Sequence, residues 1–243
     1  MLKKGVARAN PHIVKGALPF PGLMLVAIAK AWGKSPKWWK RMVAAMIMVA
    51  FLAVLRGGEV IAIPQRGITW VCGAVETADP PVDPVSVLTG VLLLLTSRKT
   101  SQATPQFAAV KAGLVTNLLL THLRFVARRV PGNYFLFPAR QRGKSRRGRV
   151  RWVPSGTKKI SSKSFLFLIR LGLQQACGLS TEQSARFTLH SLRVGGMDHL
   201  SKMGVPLGLC AQMMSHKSIL TVRRYLRQFA GERIQELDNM VTV

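Results

Sequence analysis

The stretch TLHSLRVGGMDHLSKMG, Thr188 to Gly204, has an apolar face at helical spacing and a glycine stop, which predicts one helix ended by Gly204. His190 and Arg193 are three apart and so share a face of that helix. Pro206 can start the next short helix. Beyond it lies SHKSILTVRRYL, Ser215 to Leu226, a basic segment without a carboxylate. Ser218 can cap a helix that carries Tyr225 about two turns in, with His216 in the turn before it. Two helix ends joined by a short hinge would then bring His190, Arg193, His216 and Tyr225 into one pocket. Taken singly, each has an ordinary structural role, since a lone histidine often sits satisfied in a core and a tyrosine on an amphipathic helix usually packs.

Composition bounds what such a pocket could do. The chain has 243 residues, 48% of them hydrophobic, enough for one sizeable core or two smaller ones. Its net charge of +27 calls for a polyanionic partner, and phosphate neutralisation by Lys and Arg is the usual origin of such a charge. A generally basic surface is the bland alternative. Only nine residues are acidic, and none lies between Pro84 and Thr181. Two-metal nucleases and polymerases hold cations with carboxylates and glycosidases need a carboxylate pair, so the chain is poorly equipped for either chemistry. Cys72, Cys177 and Cys210 are odd in number and have no metal-ligand spacing, which fits a reducing, intracellular compartment.

The apolar run MVAAMIMVAFLAVL, Met42 to Leu55, is fourteen residues long, short of the roughly 20 that span a bilayer, and basic residues flank it. It reads as a buried helix from about Pro36 to Leu55, stopping at Gly57 and Gly58. The opening residues, broken by Pro19 and Pro21, read as a loop and a short helix rather than a cleaved signal. EVIAIPQRGITWV, from Glu59, alternates enough for a short strand, and a loop follows from about Glu76 to Pro84. VLLLLTSRKTSQATPQFAAV predicts two strands about a polar turn, and a helix is expected near Ala112 to Val130. RQRGKSRRGRVR, Arg140 to Arg151, reads as a dense cationic loop, either solvated or gripping phosphate. SSKSFLFLIRLGLQQACG predicts a further helix with a glycine stop.

The spacing of the set is more telling than its members. His-x-x-Arg, a histidine twenty-three residues later and a tyrosine nine after that resemble the catalytic end of the tyrosine recombinases, the phage integrase family. LRGGEV resembles that family's first arginine motif, with Arg56 as the first active-site arginine and Glu59 as its acidic companion. The turn SRKTSQ resembles the hairpin that carries the family's lysine, here Lys99. The sequence departs from the pattern at Ser215, where glycine is frequent, and at Val194, where histidine is.

The resemblance implies a mainly α fold with a small antiparallel β-sheet (α+β), the DNA breaking-rejoining catalytic fold. It would occupy residues 36–237, after an N-terminal extension or remnant of a core-binding domain over 1–35 and before a tail over 238–243. It implies double-stranded DNA as partner, a homo-tetramer on paired sites, a DNA-associated location, and no membrane, metal or small-molecule cofactor. Catalysis would fall to Arg56, Lys99, His190, Arg193, His216 and Tyr225, supported by Glu59, through a 3′-phosphotyrosyl intermediate formed without ATP. A type IB topoisomerase-like enzyme, or an inactive basic DNA-binding protein of the same fold, are the alternatives.

The residues also make chemical sense on their own. A tyrosine hydroxyl with a pKa near ~10 is a weak nucleophile at neutral pH and needs a base or nearby cations. Arginine forks can stabilise the charge that builds on a five-coordinate phosphate.

Overall fold

The computed structural model describes residues 17–79, 81, 88–96, 106–130, 135–144 and 150–213. Lys99, His216, Tyr225 and the Ser218 cap lie outside the described residues. Helix α1, Gly22–Gly33, and helix α2, Trp38–Leu52, come first. Every residue from Met42 to Phe51 is buried, so α2 has no solvent face along that length. A helix apolar all round belongs in the middle of a core. It packs against α1, against α4 (Leu114–Arg129) and against α7 (Leu189–Lys202). Trp32 and Ile28 of α1 belong to that same core, together with Phe20 just before it. No helix among the described residues is long and apolar enough to cross a membrane.

The strand expected from Glu59 begins only at Ile68. Residues Gly57–Ile61 form a short helix, α3, because the Glu59 carboxylate accepts the backbone N–H of Arg56 at 2.7 Å and so closes its first turn. Strand β1, Ile68–Cys72, follows, then β2, Val75–Thr77, after a turn at Gly73. Strands β3, Leu88–Leu95, and β4, Gln106–Lys111, complete an antiparallel sheet in the order β2-β1-β3-β4. The two strands expected about the polar turn are thus β3 and β4, paired from Gly90↔Lys111 to Leu95↔Gln106. Val91, Leu93 and Leu95 alternate into the core, as a half-buried strand requires.

A second correction concerns the cationic segment at 140–151. Much of it is a two-stranded antiparallel ribbon, β5 (Pro138–Lys144) and β6 (Val150–Lys159), with Gln141↔Val153 and Arg142↔Trp152 in register. Strand pairing tolerates this charge because Arg142, Arg151 and Trp152 reach solvent, and because α2 grips the ribbon. The Trp38 indole donates to the Trp152 carbonyl at 2.9 Å.

The C-terminal helices follow the sequence closely. Helix α5, Ser162–Cys177, starts where Ser161 accepts the Ser164 amide at 3.1 Å and ends at Gly178 with φ 71°. A reciprocal Ser180/Gln183 capping box opens α6, Thr181–Ala185. Helix α7 ends before Gly204, whose φ is 77°, and α8, Leu207–Met213, follows Pro206.

Candidate active site

The site forms where α2 ends and α3 begins. After Leu52 the chain turns sharply through Val54, whose φ of 52° is left-handed, a costly conformation for a β-branched residue. The turn leaves the Val54 carbonyl to accept Arg193 Nη1 from α7 at 2.9 Å. Two residues on, Arg56 caps α3 and its Nη1 lies 3.0 Å from Glu59 Oε1. The other Glu59 oxygen lies 3.6 Å from Arg193 Nη1. One carboxylate therefore sits between two guanidinium groups that are 137 positions apart in the chain (193 − 56).

Burial differs across this trio. Glu59 is 4% exposed and Arg193 1%, whereas 32% of the Arg56 side chain is open to solvent. Two positive charges against one negative leave the cluster cationic, with Arg56 as its accessible edge. A planar fork held this way suits the non-bridging oxygens of a phosphate.

Two glycines let α7 come this close. A methyl group on Gly195 would collide with the backbone of Phe20, and one on Gly196 with the carbonyl of Phe51. The Phe20 amide also donates to the Ser191 carbonyl at 2.9 Å, tying α7 to the segment before α1. Each glycine inside a helix costs ~1 kcal/mol relative to alanine, so a pair in succession marks a close backbone approach.

His190, one turn before Arg193, reaches solvent on its outer side. Desolvation by the surrounding protein, then the charges of Arg193 and Arg56, hold its pKa below the usual histidine value. A lowered pKa favours the neutral ring, the form that can accept a proton. The influence of both arginines on this one ring brings His190, Arg193 and Arg56 into a common neighbourhood.

Of the sequence-derived set, then, Arg56, Glu59, His190 and Arg193 come together. The strand leading toward Lys99 is tied to this corner, since Thr96 Oγ1 donates to the Ala62 carbonyl just after α3 at 3.2 Å. On the other side α8 packs over Val54 through Cys210 and Ala211, and Met197 of α7 completes that cluster. Sequence reasoning missed Val54. Nothing about a valine between apolar neighbours announces a left-handed turn.

No protein-family model matches the chain, and no curated protein matches it in sequence. Solved structures do match it. The XerH site-specific recombinase, in a post-cleavage complex with its palindromic difH substrate, superposes with a TM-score of 0.59 over 92% of this chain and 53% of its own, at 15% identity. The fold is that of the tyrosine recombinases. XerA recombinase gives a TM-score of 0.56 at 14% identity over 90% of this chain and 63% of its own. The Tn1549 transposon integrase, in complex with transposon right-end DNA, gives 0.52 at 11% identity over 96% and 68%. This recombinase fold therefore spans about half to two-thirds of the length of the chains it resembles.

Proposed function

We propose that the chain is a site-specific DNA recombinase that cuts and rejoins double-stranded DNA through a covalent 3′-phosphotyrosyl intermediate. The observation that carries this reading is the Arg56–Glu59–Arg193 cluster with His190 beside it, set on a tyrosine recombinase fold. In the proposed reaction the Tyr225 hydroxyl attacks phosphorus as the bond to the 5′ oxygen breaks. The Tyr225 proton passes to a base, a task the neutral His190 suits. Arg56, Arg193 and His216 donate to the non-bridging oxygens as negative charge builds there. Lys99 protonates the departing 5′ oxygen. A second 5′-hydroxyl then reverses the step, and since the phosphodiester energy is conserved in the tyrosyl ester, resealing needs no ATP. Glu59 positions both arginines rather than touching the phosphate. A homo-tetramer on paired sites, associated with DNA inside the cell, is the assembly this function calls for.

The test is covalent capture on a suicide substrate made from DNA flanking the gene, read on a denaturing gel. Tyr225→Phe should abolish capture and leave DNA affinity largely intact, because it removes one hydroxyl and no charge. Arg193→Ala should slow capture by at least about a hundredfold, the scale on which one transition-state donor acts. Capture by the Phe variant would exclude Tyr225 as nucleophile. Relaxation of supercoiled plasmid lacking any special site would favour the topoisomerase-like alternative.

A further inference from the structure

At the opposite end of α2 from the catalytic corner, a cleft of about 550 Å³ opens between α2, the end of α4 and the ribbon. The fifteen residues of α2, at ~1.5 Å each, place it roughly 20 Å away. Among its lining residues are Trp38, Phe125 and Trp152, with Arg129, Arg151 and Gln141, and no carboxylate is among the described residues that line it. Trp38 and Phe125 stack with ring centroids 5.8 Å apart and planes within 13°. The Arg129 guanidinium lies 5.7 Å from the Phe125 centroid. Trp152 is 47% exposed, a large share for so apolar a ring.

The cleft is also held in shape. The Trp38 indole bonds the Trp152 carbonyl, and Arg140 is inserted between Trp39 and Trp152, 4.9 and 5.1 Å from their centroids. The Trp152 ring is thus backed by a cation while much of it stays open. The volume of the cleft falls in the range of small-molecule sites, about 300 to 1,000 Å³.

We propose that this cleft binds an unpaired nucleotide of a DNA strand, with the base stacked on the aromatic side chains and the phosphate met by Arg129 and Arg151. Aromatic rings beside arginines are the usual chemistry of single-strand binding, because every base has a π-face and every nucleotide a charge. A paired base in a duplex has both faces covered by its neighbours, so an aromatic platform selects the unpaired strand. The inference rests on DNA being the partner, as in the proposed function, but not on strand cleavage. Within that function it has a place, since a cut strand must leave its own duplex before it joins another.

Fluorescence anisotropy of the full chain with a labelled oligothymidylate of about a dozen nucleotides, and with a blunt duplex of equal length, separates the possibilities. Trp152→Ala should weaken the oligothymidylate about tenfold, the effect of losing one stacking platform. Trp152→Phe should stay within about threefold of the parent and Arg129→Gln should weaken single-strand binding several-fold, with duplex affinity within about twofold in all three variants. As a direct readout, an oligonucleotide carrying 5-iodouridine should photocrosslink to the peptide containing Trp152. Equal losses on both DNAs, or no loss on the single strand, would overturn the site while leaving the recombinase reading intact. A chain that binds neither DNA would overturn both. Arg193→Ala should keep its single-strand affinity, so failed cleavage and a failed cleft remain distinguishable.

Discussion

The two ends of α2 hold arginines by opposite means. At its C-terminal end Arg56 and Arg193 are fixed by a carboxylate and a backbone carbonyl, and the buried Glu59 sets the spacing between them. At its N-terminal end Arg129 lies near Phe125 and Arg140 between two indoles, with no acid among the described residues of the cleft lining. A carboxylate fixes direction but cancels charge, and buried ion pairs add specificity more readily than stability. A ring face fixes a guanidinium loosely and leaves its charge uncancelled. The first arrangement suits chemistry on one phosphate, where a small misplacement is costly. The second suits a surface that accepts many nucleotides.

The strongest way to break the contrast is at its rigid end. Gly196→Ala would drive a methyl group into the Phe51 carbonyl, and backbone cannot swing aside as a side chain can. It should cost more than about 3 kcal/mol in urea unfolding and detach Arg193 from Glu59. Gly58→Ala, where nothing lies within 4 Å of the new methyl, should stay within about half a kcal/mol of the parent. Similar midpoints for the two variants would show that α7 does not depend on that close approach.

A smaller effect probes what anchors the ribbon. His122 of α4 is fully buried, donates Nε2–H to the Leu136 carbonyl at 2.8 Å and stacks on Phe137 just ahead of β5. Burial, and secondarily the charge of Arg41, pushes its pKa down to about 4, against the backbone bond that favours the charged ring. The unfolded chain takes up this proton near 6.5, so between that value and about 4 the unfolded state binds more protons and stability falls with acid. Denaturant unfolding should show about 2 kcal/mol lost to this group between pH 7 and pH 5. His122→Gln should flatten that part of the profile, and an unchanged slope would place the acid sensitivity elsewhere.

The smallest expected effect sharpens the loose end. Arg140→Gln keeps a planar polar group but removes the cation between Trp39 and Trp152, and should cost about 1 kcal/mol. Arg140→Lys keeps the charge without the flat fork. Equal stability of the Lys variant and the parent would mean that charge alone holds the two rings.

Much of this was legible in the sequence where structure is local. Helices α5 and α7 end at Gly178 and Gly204, whose left-handed φ values need no partner to be favourable. The apolar stretch of α2 declared a buried helix, and the alternation of β3 declared its inward face. His190 and Arg193 could be picked out by their spacing, and Arg56 and Glu59 by the resemblance of LRGGEV to a recombinase motif. The ribbon could not. Its arginines look like a solvated loop until Trp38 and Trp39, roughly a hundred residues earlier, supply the hydrogen bond and the ring faces that hold them.

What the sequence alone determined is therefore the helical character, the buried α2, the paired strands β3 and β4 and the cationic balance, all matters of local pattern and composition, while the catalytic candidates came from its resemblance to a family. Tertiary structure decided the rest. It turned Val54 into a left-handed corner against its own preference, turned Glu59 from a strand residue into the spacer between two arginines, and folded the cationic segment into the wall of an aromatic cleft. Each of these is a compromise between a local preference and contacts with distant residues, and such contacts exist only once the chain has packed.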